Sequence, residues 1–322
     1  MKSLYIVDAV GYLFRSYYAI GKMTNKEGDS TNALYGFIRS IQKLLTDFSP
    51  THLVAVFDGP NNKASRSAIY ADYKSHRMAM PPDLVPQLEL AYTYCKHAGI
   101  STVTLDSHEA DDAMGAIAKW GASEGASVFL CSSDKDLCQL VDERIHILNT
   151  HKGNLILDAD TVTAKYGVRP DQFIDYLAIV GDASDNIPGI PGFGPKTAAD
   201  LLQKGGSLDH LLAHPELVSS PKKRSTLEES ADMARVSRQL ATINLDLDVP
   251  RNAEAYALQP PNYEGLSSLY REMHFASLLT ELVNQPKRES IETAYHLVDD
   301  EEGLTALLER LNGASDVCID VE

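Results

Sequence analysis

Nine acidic residues of this chain follow apolar segments in small groups, a pattern that points to metal-assisted chemistry. Residues 4–7 and 53–57 each run directly into an aspartate, and residues 128–131 lead to an Asp-Lys-Asp triplet. Grouped carboxylates repel one another unless cations lie between them. Carboxylate oxygens suit hard divalent ions, here Mg²⁺ or Mn²⁺. The candidate ligands are Asp8, Asp58, Glu109, Asp111, Asp112, Asp134, Asp136, Asp182 and Asp185.

Four short apolar segments must position most of these acids: residues 4–7, 53–57, 102–105 and 128–131. Each is rich in β-branched or aromatic residues and precedes a helix-like segment, which is typical of parallel strands in an α/β fold. The carboxyl ends of such strands share one edge, where open α/β sheets bind ligands. We therefore predict one acidic crevice with room for two metal ions about 4 Å apart, the arrangement that serves phosphodiester cleavage.

A purely structural interpretation of the acids is also available. An aspartate after a strand commonly caps the next helix, and Glu109, Asp111 and Asp112 could simply favour a helix dipole. Capping alone does not call for so many acids in doublets. The four cysteines lack C-x-x-C spacing, so neither a zinc site nor a disulfide framework is indicated.

Charge and length leave a nucleic-acid partner open despite the formal net charge of -16. Ten acids and one base lie between residues 289 and 322, so the tail and the nine clustered acids hold most of the negative charge. The 322 residues suffice for one large α/β domain and a smaller one. The sequence has no apolar run long enough to span a bilayer and no signal-peptide pattern, which predicts a cytoplasmic protein without membrane association. No obligate partner subunit is indicated, so we expect a monomer.

A basic segment supplies the first candidate contact with nucleic acid. Residues 61–77 carry four bases against one acid, with two tyrosines interleaved. Arg66, Lys74 and Arg77 could contact successive phosphates, the last two from neighbouring turns of a predicted helix. Tyr73 could stack on a base. The alternative is a solvated helix face with one core tyrosine, and the position beside the acidic crevice favours DNA.

A glycine-rich turn supplies the second candidate contact. Its glycines let the backbone approach a ligand closely, and exposed amides at the start of the following helix bind phosphate. It is not a P-loop, because Pro195 precedes the lysine and no strand comes before the turn. A plain interhelical turn is the alternative. The candidate DNA-binding residues here are Gly189, Gly192, Gly194, Lys196 and Thr197.

Together these motifs resemble the flap endonuclease family of 5′-nucleases, in the form found at the amino terminus of bacterial DNA polymerase I. The resemblance extends from Tyr5 to about Leu282. It implies an α/β fold with a mostly parallel central sheet flanked by helices, a PIN-like core, and a helical helix-hairpin-helix subdomain. The motifs that carry it are residues 5–8, 35–36, 56–58, 73–77, 109–112, 134–137 and 181–189.

The resemblance also implies a division of the chain. Residues 1–170 would form the nuclease core with a helical arch near 61–82, and residues 171–284 the helix-hairpin-helix subdomain. Residues 285–294 read as a linker. After it the sequence predicts a strand at 295–298, a helix at 300–311 and a strand at 317–321. Residues 295–322 resemble the truncated start of a 3′→5′ exonuclease-like domain, a partial second α/β unit that stops on Asp320-Val321-Glu322. We expect neither proofreading nor synthesis from this end.

Roles for individual residues follow from the resemblance alone. The family holds one metal ion at positions matching Asp8, Asp58, Glu109 and Asp111, with Asp112 adjacent, and a second around Asp134, Asp136, Asp182 and Asp185. Positions matching Arg15, Arg66, Lys74 and Arg77 grip phosphates, and Tyr73 matches an aromatic that stacks near the cleavage point. In some members K⁺ binds at the glycine turn. Residues 8–11 depart from the usual Asp-Gly, and Gly59 stands where Ala is common, but neither change removes a ligand.

The implied activity is metal-dependent hydrolysis of DNA at 5′ flaps, nicks and free 5′ ends, including RNA-primed strands, in primer removal and repair. A haloacid-dehalogenase-type phosphatase is a rival interpretation, but it needs a second acid where Val10 stands. A non-catalytic, structure-specific DNA-binding module is the other rival. Every matched acid is present, which argues against a decayed site.

Overall fold

A six-stranded sheet forms the centre of the fold. A computed structural model of the chain describes residues 1–284, 298 and 300–312. The strand order is β3-β2-β1-β4-β5-β6, with β1 to β5 parallel and β6 antiparallel to β5. The four predicted strands and their parallel arrangement are confirmed. The strands are β1 (Ser3–Asp8), β2 (Leu53–Phe57), β3 (Ser101–Thr104), β4 (Ser127–Cys131), β5 (Ile145–Asn149) and β6 (Leu155–Leu157).

The central strands are apolar throughout because helices cover both faces of the sheet. Side chains alternate between the two faces, so Leu4 and Ile6 of β1 join one core layer while Tyr5 and Val7 join the other. Their register with β2 places Ile6 beside Val54. Each strand is thereby fixed along its length, and its last residue comes to a defined point at the carboxyl edge of the sheet.

Helices α1, α2, α4 and α12 pack on one face of the sheet, and α5 on the other, where a mainly helical region containing α7, α8 and α11 continues the core. The helices are α1 (Ala9–Ala19), α2 (Asn32–Phe48), α3 (Ala64–Ile69), α4 (Val85–His97), α5 (Ala110–Ser123), α6 (Ala159–Tyr166), α7 (Phe173–Val180), α8 (Pro195–Gly205), α9 (Leu208–Ala213), α10 (Pro221–Glu229), α11 (Ala231–Ala241), α12 (Tyr263–Glu272), α13 (Ala276–Asn284) and α14 (Glu301–Asn312). None of the helices described is long and apolar enough to cross a membrane.

The chain divides into two compact units, residues 1–282 and 283–322. The predicted boundary at residues 170 and 171 lies inside the first unit and stays a prediction. In the second unit, α14 lies where the sequence predicts a helix. The predicted linker at 285–294, the strand at 317–321 and the terminal Asp320-Val321-Glu322 lie outside the described residues, as does the predicted strand at 295–298 apart from Val298.

The basic segment differs from its prediction. Within residues 61–82 only α3 is α-helical, and the chain continues in turns. Lys74 has a positive φ of 50°, a left-handed conformation that cannot continue a right-handed helix. The prediction that Lys74 and Arg77 lie on neighbouring helical turns is therefore wrong.

The glycine turn joins α7 to α8, and we call residues 181–197 the glycine hairpin. Gly181 and Gly189 both have positive φ, and a Cβ on Gly189 would lie 2.5 Å from the backbone nitrogen of Gly181. This close backbone contact requires glycine at both positions. The amide of Gly189 donates a hydrogen bond to Ser237 Oγ at 3.1 Å. The hairpin is thus fastened to α11.

Candidate active site

The nine predicted acids, which we call the acid cluster, are positioned mainly by the carboxyl edge of the sheet. Asp8 ends β1, and Asp134 follows β4, the neighbouring strand. The strand order reverses between these two strands, which is where open α/β sheets bind ligands. Asp8 caps α1 by accepting a hydrogen bond from the amide of Gly11 at 2.7 Å. A Cβ on Gly11 would lie 2.1 Å from the Asp8 carboxylate, so this cap requires glycine.

Ser132 links the two strand ends. Its hydroxyl donates to Asp8 Oδ2 at 3.0 Å and accepts from the amide of Asp134 at 3.1 Å. Asp134 in turn accepts from the amide of Asp136 at 2.9 Å. On the other side of β1, Asp58 accepts from the amide of Ala110 at 2.9 Å and so ties the end of β2 to the start of α5. Backbone amides therefore fix several carboxylates in place.

Burial, and to a lesser extent the neighbouring acids, shifts the titration of two members of the acid cluster. Burial raises the pKa of Asp8 to about 6, against the hydrogen bonds from Gly11 and Ser132, and the charges of Asp58 and Asp134 add to the rise. Burial also raises the pKa of Asp111 well above its usual range, with the charges of Asp134 and Asp8 as further causes. The ionised forms of both carboxyls are therefore disfavoured unless a cation is nearby.

A buried arginine compensates one side of the acid cluster. The Arg66 guanidinium donates to both Asp112 oxygens, to Glu109, and to the carbonyl oxygens of Leu240 and Thr242, at 2.7 to 3.1 Å. Arg66 is only 7% exposed. This geometry corrects the expectation that Arg66 contacts DNA. It also gives Asp112 a different role from metal ligation, because its carboxylate is the buried partner of Arg66.

Tyr73 and Lys74 enter the same site from the basic segment. The Tyr73 hydroxyl donates to Glu109 at 3.0 Å, and its ring is 3% exposed, so the expectation that it stacks on a base is corrected. The core-tyrosine alternative describes it instead. Lys74 Nζ lies 2.5 Å from Glu109 and 3.2 Å from Asp185, while its amide donates to the Asp185 carbonyl. Both Glu109 oxygens are thus engaged by protein donors.

A second group of acids lies around Lys135. Its Nζ contacts the Asp182 carboxylate and lies 3.3 Å from Asp136 Oδ1. Ser184 holds the other Asp182 oxygen through its amide at 2.7 Å and its hydroxyl at 2.6 Å. Burial raises the pKa of Asp182, but the hydrogen bonds from Lys135 and Ser184 outweigh it, and the net pKa is lowered. Burial and the Asp134 charge raise the pKa of Asp136 to about 7, against the effect of Lys135.

The acid cluster has the oxygen ligands that a divalent metal prefers, but its carboxylates do not surround a common point in this structure. In the described part of the chain, no three acidic, His or Cys side chains converge closely enough to hold a metal ion as they stand. Arg66, Lys74 and Lys135 contact carboxylate oxygens instead. Asp136 Oδ1 is buried and accepts no hydrogen bond, and its charge is met by Lys135 Nζ at 3.3 Å. A buried carboxylate oxygen without a hydrogen-bond donor, beside acids with raised pKa, fits a hard cation.

The remaining predicted contacts are on the surface. Arg15 on α1 and Arg77 in the turns after α3 are exposed. In the glycine hairpin, Gly192, Gly194 and Lys196 are exposed, and the space where a Cβ would lie is open at both of these glycines. Thr197 is half-buried and accepts from Lys223 Nζ at 3.1 Å. Gly189 is buried with its amide bonded to Ser237, which corrects the expectation that it faces DNA.

Sequence reasoning missed Ser132, Lys135 and Ser184. Each lies directly beside a predicted acid or within two residues of one, so a search for small hydroxyls and cations around the carboxylates would have found them. Lys223 on α10 was also missed. It is distant in sequence from the hairpin, and no local pattern indicates its contact with Thr197.

Comparisons with known proteins agree with the geometry. The family described as "5'-3' exonuclease, N-terminal resolvase-like domain" matches residues 3–167, and "5'-3' exonuclease, C-terminal SAM fold" matches residues 168–264. The 5'-3' exonuclease of Aquifex aeolicus is 36% identical over 282 residues, which is 88% of this chain and 96% of that protein. DNA polymerase I of Pseudomonas aeruginosa is 34% identical over 336 residues, 99% of this chain and 37% of that protein.

DNA polymerase I of Rhizobium leguminosarum is 37% identical over 283 residues, 85% of this chain. The chain spans 28% of that polymerase, so it corresponds to a minor part of such proteins. Among solved structures, T5 5'-exonuclease with bound zinc has a TM-score of 0.66 at 19% identity, covering 88% of this chain and 98% of the other. The catalytic core of Rad2 with a DNA substrate has a TM-score of 0.60 at 16% identity, covering 88% and 91%. At these identities the structural likeness shows the fold alone.

Proposed function

Because this chain belongs to the 5′-3′ exonuclease family, we propose that it hydrolyses phosphodiester bonds of DNA at 5′ flaps, nicks and free 5′ ends. The observation that supports this most directly is the placement of Asp8, Asp58 and Asp134 at the carboxyl ends of β1, β2 and β4, where Ser132 bridges Asp8 and Asp134. The relatives named 5'-3' exonuclease and the family match over residues 3–167 support the same activity. Primer removal and repair, including RNA-primed strands, are the proposed roles.

The metal is proposed to be Mg²⁺ or Mn²⁺, bound as two or more ions. When bound, such ions lower the pKa of water and stabilise charge on the phosphate and the leaving oxygen. One ion would be held by Asp8, Asp58 and Asp111, with Glu109 beside them. The second would be held by Asp134, Asp136, Asp182 and Asp185. Glu109 and Asp182 are buried, most of the other proposed ligands are partly buried and Asp134 is exposed, so the ions would bind at the boundary between the core and solvent.

The chain's own cations would act on the phosphate. Arg77 and Arg15 are exposed, so they can reach a bound DNA strand from solvent. Lys74 is tied to Glu109 and Asp185, so it can contact the scissile phosphate only after those ion pairs loosen. A positioned cation is worth most where negative charge develops during the reaction. Arg66 instead keeps Glu109 and Asp112 in place.

The glycine hairpin is proposed to bind the duplex backbone. The exposed Gly192 and Gly194 precede α8 and the exposed Lys196 lies in its first turn, and helix amides with a nearby lysine suit a phosphate. K⁺ at this hairpin is part of the proposal. Backbone contacts carry no base information, so recognition should depend on DNA structure and little on sequence. A monomer in the cytoplasm is the proposed state.

The test is cleavage of a labelled 5′-flap duplex with Mg²⁺, beside EDTA and the Asp134→Ala variant. We expect flap products that disappear in both controls. Asp232→Ala serves as a matched control, because Asp232 is a fully exposed acid paired only with Arg235 on the surface. It should cleave as the original chain does. Flap binding without cleavage at any Mg²⁺ concentration would replace the nuclease with the non-catalytic binding module.

A further inference from the structure

Lys135 occupies the space between two carboxylates of the acid cluster. Its Nζ contacts Asp182 Oδ2 and lies 3.3 Å from Asp136 Oδ1. The side chains of Asp136 and Asp182 are 14% and 8% exposed, whereas that of Lys135 is 38% exposed. The acids are therefore held inside the site, while the lysine reaches them from its rim.

Lys74 makes a similar contact in a very different setting. Its side chain is 8% exposed, its φ is positive, and its backbone amide is bonded to the Asp185 carbonyl. Lys135 has an ordinary helical φ of -73° and precedes a short 3₁₀ helix. Rotation of its flexible four-carbon stem is enough to move the ammonium group into solvent. Lys135 can leave its acids without a change in the backbone.

Asp182 is built to keep its orientation when Lys135 leaves. One carboxylate oxygen accepts two hydrogen bonds from Ser184, and the other faces Lys135. The Ser184 bonds are local to the hairpin and do not depend on the lysine. Loss of the ammonium group would therefore free one oriented oxygen of Asp182 and leave Asp136 Oδ1, which accepts no hydrogen bond, without its only cation among the described residues.

We propose that Lys135 is a built-in counterion, which holds Asp136 and Asp182 together in the metal-free protein and is displaced when a divalent cation binds to them. The inference rests on the proposed metal-dependent function and adds a residue that sets the affinity for the second ion. An ammonium group and a divalent ion at the same Asp182 oxygen repel each other, so the binding of one disfavours the other. Lys135 acts through the two acids and is a positioning residue.

The experiment is calorimetric titration of the full chain with Mn²⁺ alone at pH 8, using Lys135→Met and Lys135→Arg. We expect Lys135→Met to bind Mn²⁺ roughly tenfold more tightly, because a competing cation is removed, a change of about 1.4 kcal/mol. Its metal-free form should melt at a lower temperature, since the two acids lose their counterion. Lys135→Arg should remain close to the original chain in both measurements. Asp182→Asn should remove the Mn²⁺ binding event that Lys135→Met tightens, and persistence of that event in Asp182→Asn would overturn the proposal.

A lysine with a merely structural role would give the lower melting temperature without the tighter Mn²⁺ binding. Unchanged or weaker Mn²⁺ binding in Lys135→Met, with native circular dichroism, would therefore overturn the proposal. Lys119→Met is the matched control, because Lys119 pairs with Asp142 at 2.8 Å on the surface, and it should leave Mn²⁺ affinity unchanged. Flap cleavage is measured separately. A chain that binds Mn²⁺ as expected but never cleaves would refute the nuclease proposal and leave the role of Lys135 standing.

Discussion

The acid cluster and the glycine hairpin are suited to opposite charges by different means. The acid cluster would bind cations through its side chains, and the hairpin would bind phosphate anions through its backbone. In the acid cluster the ligand atoms are side-chain oxygens: the carboxylates are mostly buried or partly buried, several accept hydrogen bonds from backbone amides, and Arg66, Lys74 and Lys135 pair with some of them. In the hairpin, the backbone does the work: Gly192 and Gly194 are exposed with open space beside them. The acid cluster therefore contains carboxylates that repel one another in the folded protein, whereas the glycine hairpin contains little such repulsion.

This contrast follows from what each region is proposed to do. A metal site needs several charges at fixed short distances, and folding must hold them there against repulsion and desolvation. A backbone-binding hairpin needs accessible amides and room for a phosphate, which cost the folded state little. Substitutions in the acid cluster should therefore change stability and activity together, whereas substitutions in the hairpin should change DNA affinity with little effect on stability.

The largest effect is expected from Arg66→Met. The substitution leaves Asp112 buried without its cation, and loss of one partner of a buried ion pair costs about 3–5 kcal/mol. Urea denaturation measures the free energy of unfolding. Arg235→Met, which removes an exposed pair, should cost less than about 1 kcal/mol. Equal losses in the two variants would show that the Arg66 pair is no stronger than a surface contact.

Asp111→Asn should change activity and stability in opposite directions. We expect flap cleavage to fall by at least about a hundredfold, because a carboxylate at the reacting centre is lost. The metal-free variant should melt at a higher temperature at pH 8, because the neutral amide removes a charge that burial and neighbouring acids disfavour. Paired cleavage assays and thermal melts test this. A variant that is both inactive and less stable would assign Asp111 a structural role.

Lys196→Ala tests the hairpin side of the contrast. Loss of one phosphate contact should weaken flap binding several-fold and reduce the salt dependence of log affinity by about one unit of slope. Stability should stay the same or rise by a few tenths of a kcal/mol, since a cation at the start of α8 opposes the helix dipole. Fluorescence anisotropy over a range of KCl concentrations gives the slope. An unchanged slope would place the DNA elsewhere.

The smallest effect is a pH dependence. The pKa of Asp136 is about 7 in the folded chain and ordinary in the unfolded chain, so the folded state binds the extra proton below that value. The stabilisation that comes from this extra proton falls as the pH rises from 5 and is lost once the pH has passed 7. The melting temperature of metal-free Asp136→Asn minus that of the original chain should therefore increase by a few degrees between pH 5 and pH 8. A difference in melting temperature that decreases over this pH range would contradict the raised pKa of Asp136.

Local sequence was enough to predict four of the six strands and the location of most acids. Apolar runs rich in β-branched or aromatic residues identify β1 to β4, and parallel strands oblige their carboxyl ends to share an edge, but β5 and β6 were not predicted. Local sequence was not enough for the basic segment. Arg66, Tyr73 and Lys74 look like a DNA-binding surface, because a stretch of bases gives no sign of which acids it will meet after folding.

The sequence by itself therefore determined the family, the fold class and the set of carboxylates, since these depend on short-range patterns and residue type. Only the tertiary structure decided which charges neutralise one another. Arg66 meets Asp112 across 46 residues, and Lys135 meets Asp182 across 47. Such pairs form because burial makes an unpaired charge costly wherever its partner lies in the chain. The packing of the core brings those partners together, and no local motif records it.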